Sequence, residues 1–199
     1  MKVAFTGRPG ALIQRPVRAT AIRMEAASAD AHRRSPRARA MATIASLDTL
    51  IGAHPEALAD YYATGSPADP SAIGTGHGRI LALESLASTH AATRPLIVAL
   101  ARHLSPWSGK TFESGGTAGA NLVFGKRLAR FHGEVAPSLL DGAPTLLMRH
   151  DGLGNPWPLR NMVDELRQIG PGVAIGPLLW PSVSRAVKPI LWWGLSTER

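Results

Sequence analysis

Beyond Pro106 the chain is broken into short apolar runs by Gly, Pro, Asn and Asp at intervals of about ten residues, the rhythm of antiparallel strands joined by tight turns. Strands are expected at 110–114, 120–124, 128–135, 145–150, 173–175 and 190–195, with Asp141-Gly142 as a turn between two of them. One helix is expected to interrupt the series at 159–169. Leu159, Met162, Val163, Leu166 and Ile169 fall on one side of such a helix, and Gly170-Pro171-Gly172 would stop it.

The preceding segment reads differently. Ile44, Leu47, Leu50 and Ile51 recur at helical spacing before Gly52. Pro55 suits the first position of a second helix, with Leu58, Tyr61 and Tyr62 on its apolar side and Gly65 at its end. Residues 66–78 read as a loop, and 79–104 as helix with a restart at Pro95 behind a Thr93 cap. Helices followed by strands predict an α+β domain, its N-terminal helices packed on a curved antiparallel sheet or a partly closed small β-barrel.

Charge separates this domain from what precedes it. Residues 1–40 carry nine basic side chains against two acids, a net +7, whereas 41–199 carry 13 against 12. The first segment reads as a disordered basic tail unnecessary for folding, or as an over-extended start before Met41. A transit peptide and a basic arm for an acidic partner are the other readings. A nearly neutral domain at 41–199 argues against nucleic acid as a partner. No cysteine is present, which rules out disulfides and thiolate chemistry. No apolar run approaches the roughly 18 residues of a membrane span, and no secretory signal opens the chain. A soluble cytoplasmic protein is expected.

Several motifs look chemical and lack an essential part. Ser108-Gly109-Lys110-Thr111 imitates the end of a phosphate-binding loop, but Leu104 stands where its first glycine belongs. Ser138 and Asp141 lack a nucleophile elbow. No two of the seven histidines lie three to five residues apart, so no local metal-binding pair exists, although His132 and His150 fall on adjacent expected strands. Neither a metal nor a cofactor is predicted.

Other features point to a ligand. Alternating glycines in Gly74-Thr75-Gly76-His77-Gly78-Arg79 permit close backbone approach and would present His77 and Arg79. Lys110 lies between Trp107 and Phe112, so apolar surface falls beside its charge. Arg160, Asp164 and Arg167 read as a charge ladder on the expected helix, with Arg160 as a further ligand candidate. Trp192 and Trp193, adjacent on one strand, must face opposite sides of the sheet.

Gly76-His77 followed by Trp107-Ser108-Gly109-Lys110-Thr111-Phe112 resembles a group of uncharacterised bacterial proteins. These carry a Gly-x-Trp-x-Gly or Thr-Gly-His segment and then Trp-x-Gly-Lys-x-Phe. Gly74-Thr75-Gly76 stands here in place of the first tryptophan. The stretch from Pro158 to Gly176 is similar to bacterial proteins as well. Over residues 73–195 the resemblance implies a lipocalin-like small barrel, and it implies no catalytic residues.

The expected function is binding of a small, mainly apolar molecule with a polar or anionic group, through His77, Arg79, Lys110 and Arg160. His77 and Lys110 are expected to meet beside a pocket. A cofactor-independent isomerase or lyase with His77 as base is the alternative, and an interaction protein without a pocket is a third. Catalytic residues and oligomeric state are left open.

Overall fold

A computed structural model describes residues 46–86, 98, 105–157, 159–181 and 187–198. The chain divides into Met1–Ala40 and Met41–Arg199, and every described residue belongs to the second unit. The expected tail, the start of the first expected helix at 44–45 and, apart from Val98, positions 87–104 of the helix expected at 79–104 lie outside the described residues.

The architecture is a closed antiparallel barrel of eight strands. They are β2 (Thr75–Leu83), β3 (Trp107–Phe112), β4 (Ala118–Val123), β5 (Lys126–Pro137), β6 (Pro144–Arg149), β7 (Val163–Gly170), β8 (Val173–Leu179) and β9 (Pro189–Ser196). Each pairs with the next in sequence, and β2 pairs with β9 to close the ring. A two-residue strand, β1 (Ser66–Pro67), adds to β7. The Asp141-Gly142 turn joins β5 to β6, with Gly142 at φ 72°.

The α+β expectation is therefore corrected to a barrel with few helices among the described residues. Helix α1 (Pro55–Thr64) forms where Pro55 predicts it, with His54 as N-cap and Gly65 as C-cap. Leu47–Leu50 is only a single 3-10 turn, and α2 (Pro70–Ile73) is one turn long. Residues 79–83 belong to β2, as does the glycine-rich segment expected as a loop.

The helix expected at 159–169 is a 3-10 turn, Leu159–Asn161, followed by β7. Its helical spacing of apolar residues is a coincidence that β7 permits because both faces of the strand are buried. Leu166 points into the barrel, while Glu165 and Arg167 are buried on the outer face. The usual alternation of polar and apolar residues is thereby erased.

That outer face is covered by α1. Leu58 and Tyr62 pack with Leu47, Leu50, Ile175 and Trp192. Glu165 accepts from Tyr62 Oη at 2.6 Å, Ser138 Oγ at 2.7 Å and the Leu139 N–H at 2.6 Å. Arg167 grips Asp141 with two bonds of 2.8 and 2.7 Å and lies over the Tyr62 ring. Arg167 is ion-paired with Asp141 and Glu165 is held by three hydrogen bonds, the compensation that burial of a charge requires. Inside the barrel a second apolar cluster forms around Phe112, Phe131, Met148, Leu166 and Trp193. Trp192 and Trp193 divide between the two layers, as adjacent strand residues must.

Candidate functional site

The interior cluster does not fill the barrel. A cavity of about 370 Å³ lies at the end where β3 begins, β4 turns into β5, and β6 leads to β7. Its walls are mostly apolar and include Ile80, Val123, Leu128, Met162, Leu178 and Leu191. Trp107 and Trp193 stand edge to face within it, their centroids 5.8 Å apart. Besides Ser105, four polar side chains line it: Lys110, Asn121, His150 and Asp164.

These four form one connected group. Lys110 Nζ donates to Asp164 Oδ2 at 2.6 Å and to Asn121 Oδ1 at 2.7 Å. Its ammonium sits 5.0 Å from the Phe131 ring centroid and 4.8 Å from that of Trp193. Asn121 Oδ1 also accepts from the Trp107 indole N–H at 2.9 Å, while Nδ2 donates to Ala129 O and meets His150 Nε2, both at 3.1 Å. An amide donating to His150 Nε2 leaves the imidazole proton on Nδ1, which faces Met162 O at 3.2 Å. His150 is thus held as the neutral ring.

Electrostatics agree with this geometry. Burial pushes the His150 imidazole below its ordinary value, opposed by Asp164 nearby. Burial likewise pushes the Lys110 ammonium down, opposed by its contact with Asp164. With side-chain exposures of 2% and 6%, Lys110 and Asp164 are withdrawn from water, yet both border the cavity.

Local irregularities of the strands shape the site. The β4–β5 register shifts between Ala120 and Asn121, leaving Ala129 as the extra residue, at φ 47°. A non-glycine residue in that conformation is strained, and such strain is commonly found where a bulge redirects side chains. Here the carbonyl of Ala129 anchors Asn121. A second shift, between Trp107 and Gly109, adjoins Lys110 on β3.

The glycines of β2 serve the same cavity. Gly78 faces inward, and a Cβ there would lie 2.5 Å from the Trp107 ring. Gly76, inward as well, would crowd Ile73 and Leu195. The alternating glycines thus clear space for interior side chains, and the close approach expected of them is to Trp107.

Of the sequence-derived candidates, Lys110 alone lines the cavity. Gly76 is the cross-strand partner of Lys110 and faces inward, so His77, next along β2, projects from the opposite face. The expected meeting of His77 with Lys110 therefore does not occur. Arg79 lies outside, 4.0 Å from Asp48, and Arg160 is exposed on the 3-10 turn before β7. His132 is exposed while His150 is buried, so these two do not share a site.

In the sequence, Asp164 reads only as part of a charge ladder, which the strand geometry dissolves, and His150 only as a neighbour of His132. Asn121 carried no signal at all. No family model, curated protein or solved structure matches this chain.

Proposed function

We propose that this chain binds a small, mainly apolar molecule inside its barrel, with the molecule's polar group at Lys110, Asn121 and Asp164. The observation that carries the reading is an apolar cavity with one localised polar group at its wall, the usual make-up of a small-molecule site. At about 30 Å³ per small group, 370 Å³ admits roughly a dozen non-hydrogen atoms. Between a polar and an anionic head group, the ion pair favours the polar one. Asp164 already neutralises Lys110, so a carboxylate would bring an unpaired charge into a low-dielectric site. A hydrogen-bond acceptor suits the Lys110 ammonium, two of whose three protons are taken by Asp164 and Asn121. The reading includes a lipocalin-like bacterial protein acting in the cytoplasm.

An enzymatic reading is favoured by one specific observation: three titratable groups, Lys110, Asp164 and His150, converge on the cavity. An isomerase or lyase would take its base from this cluster and not from His77. An interaction protein without a pocket is disfavoured by the cavity itself.

Titration with a neutral fluorescent probe small enough for the cavity, such as naphthylamine, tests the binding reading. Saturable enhancement at one site per chain is expected, and Leu191→Trp, which fills the cavity, is expected to abolish it. Enhancement unchanged in Leu191→Trp would place the probe elsewhere and refute an interior site.

A further inference from the structure

Among the described residues three lysines can be compared. Lys126 and Lys188 are exposed, whereas Lys110 is enclosed in the barrel and faces its cavity. A structural ion pair needs only the contact between Lys110 and Asp164. This one is placed against otherwise empty apolar space, with a carboxylate on one side of the nitrogen and two aromatic faces near it. That arrangement suits a cation that persists after the nitrogen has changed its bonding.

We infer that Lys110 is a covalent attachment point for apolar carbonyl compounds, condensing with an aldehyde or unhindered ketone in the cavity to give an iminium ion. The inference deepens the binding reading and rests on it: the carbonyl is the neutral acceptor group, and the apolar chain occupies the cavity. Asp164, 2.6 Å from Nζ, takes one proton and leaves the amine lone pair free. The nitrogen then attacks the carbonyl carbon, forming the C–N bond as the C=O π pair moves to oxygen. A second nitrogen proton passes to that oxygen to give the neutral carbinolamine. Asp164 returns its proton to the hydroxyl, which leaves as water while the nitrogen lone pair forms C=N. Lysine ammonium and aldehyde thus become iminium and water, with no oxidant, reductant or change of net charge. The product retains a positive nitrogen between the Asp164 carboxylate and the Phe131 and Trp193 rings, a setting that stabilises cations. Apolar walls limit the access of water that would hydrolyse it.

The experiment uses the full chain with octanal, borohydride trapping and peptide mapping. Octanol, of similar shape and unable to condense, is titrated in parallel as a competitor of naphthylamine. Expected are displacement by octanol and one reduced octyl adduct on Lys110, formed on the order of tenfold faster than on Lys126 or Lys188 because binding holds the carbonyl beside the amine. Lys110→Arg, which keeps the cation but cannot form the imine, is expected to lose that adduct. Mapping in the unaltered chain decides the matter even where the variant folds poorly. Displacement by octanol with labelling only at Lys126 and Lys188 overturns the covalent inference and leaves the binding reading standing. Failure of both octanol and the probe to bind overturns both.

Discussion

Replacing Lys110 by Met removes one half of a buried ion pair and strands the Asp164 carboxylate in the barrel. The loss expected is about 3–5 kcal/mol, because an uncompensated buried charge costs more than the intact pair contributes. Adding Asp164→Leu should recover much of that stability, so a urea-unfolding cycle of the two single variants and the double variant should show strong non-additivity. Additive losses would mean that the two side chains are not energetically coupled. His150 makes a separate prediction at this scale. Its folded-state pKa is pushed below the ordinary 6.5 by burial, with Asp164 opposing and Lys110 reinforcing, and Met162 O and Asp151 are the other groups facing it. The unfolded chain therefore binds the proton first as pH falls. Stability from the neutral ring is fully present above about pH 6.5 and declines below that value, toward the depressed pKa. Unfolding midpoints measured from pH 7.5 down to 5.5 should fall, and His150→Gln should flatten that slope. An identical slope in the variant would assign the acid sensitivity to other groups.

Two strands show what the backbone needs to enclose a cavity. On β8, a Cβ at Gly176 would collide with the Glu165 carbonyl on β7, whereas at Gly78 on β2 it would lie 2.5 Å from the Trp107 ring and 2.7 Å from the Gly109 backbone. The clash with backbone is the deeper at Gly176, and part of the crowding at Gly78 is relieved if the Trp107 ring shifts. Gly176→Ala is thus expected to destabilise by more than the roughly 1–3 kcal/mol typical of overpacking, and Gly78→Ala by less than Gly176→Ala while reducing probe binding. Calorimetric melting of both variants checks the order, and equal shifts would refute it. The same two strands explain how much of the fold was legible in the sequence. Strands β3 to β6, β8 and β9 were readable because turn residues bracket them and one helix, α1, because Pro55 opens it. β2 is hidden because two of its inward positions, Gly76 and Gly78, carry no apolar signal and because Ile80, Leu81 and Leu83 fit helical spacing. β7 was hidden because its outer face buries Glu165 and Arg167 under α1. The site was less legible than the fold. Lys110 is marked by its aromatic neighbours, but its partners Asp164 and Asn121 lie 54 and 11 residues from it, and His150 lies 29 from Asn121, so the four meet only through strand register.

For the molecule as a whole, the ring of strands leaves no open edge among β2 to β9, so each strand's main chain is satisfied on both sides along its paired length. Seven of the eight seams join strands adjacent in sequence. The eighth joins β2 to β9, setting His77 against Ser196 and Leu83 against Leu191. In kinetic terms that seam is the expensive one, since the chain must bring distant segments together before any contact there is gained. Refolding is expected on the millisecond-to-second scale of proteins dominated by non-local pairings. If the seam closes after the rate-limiting step, Leu195→Ala should accelerate unfolding and leave refolding nearly unchanged, whereas Phe131→Ala, inside the locally connected β4–β6 meander, should slow refolding. Stopped-flow chevrons of the two variants distinguish these cases, and a refolding limb slowed by Leu195→Ala would place ring closure in the transition state itself. The strand pair that makes the barrel a container would then also be the step that limits how quickly the container forms.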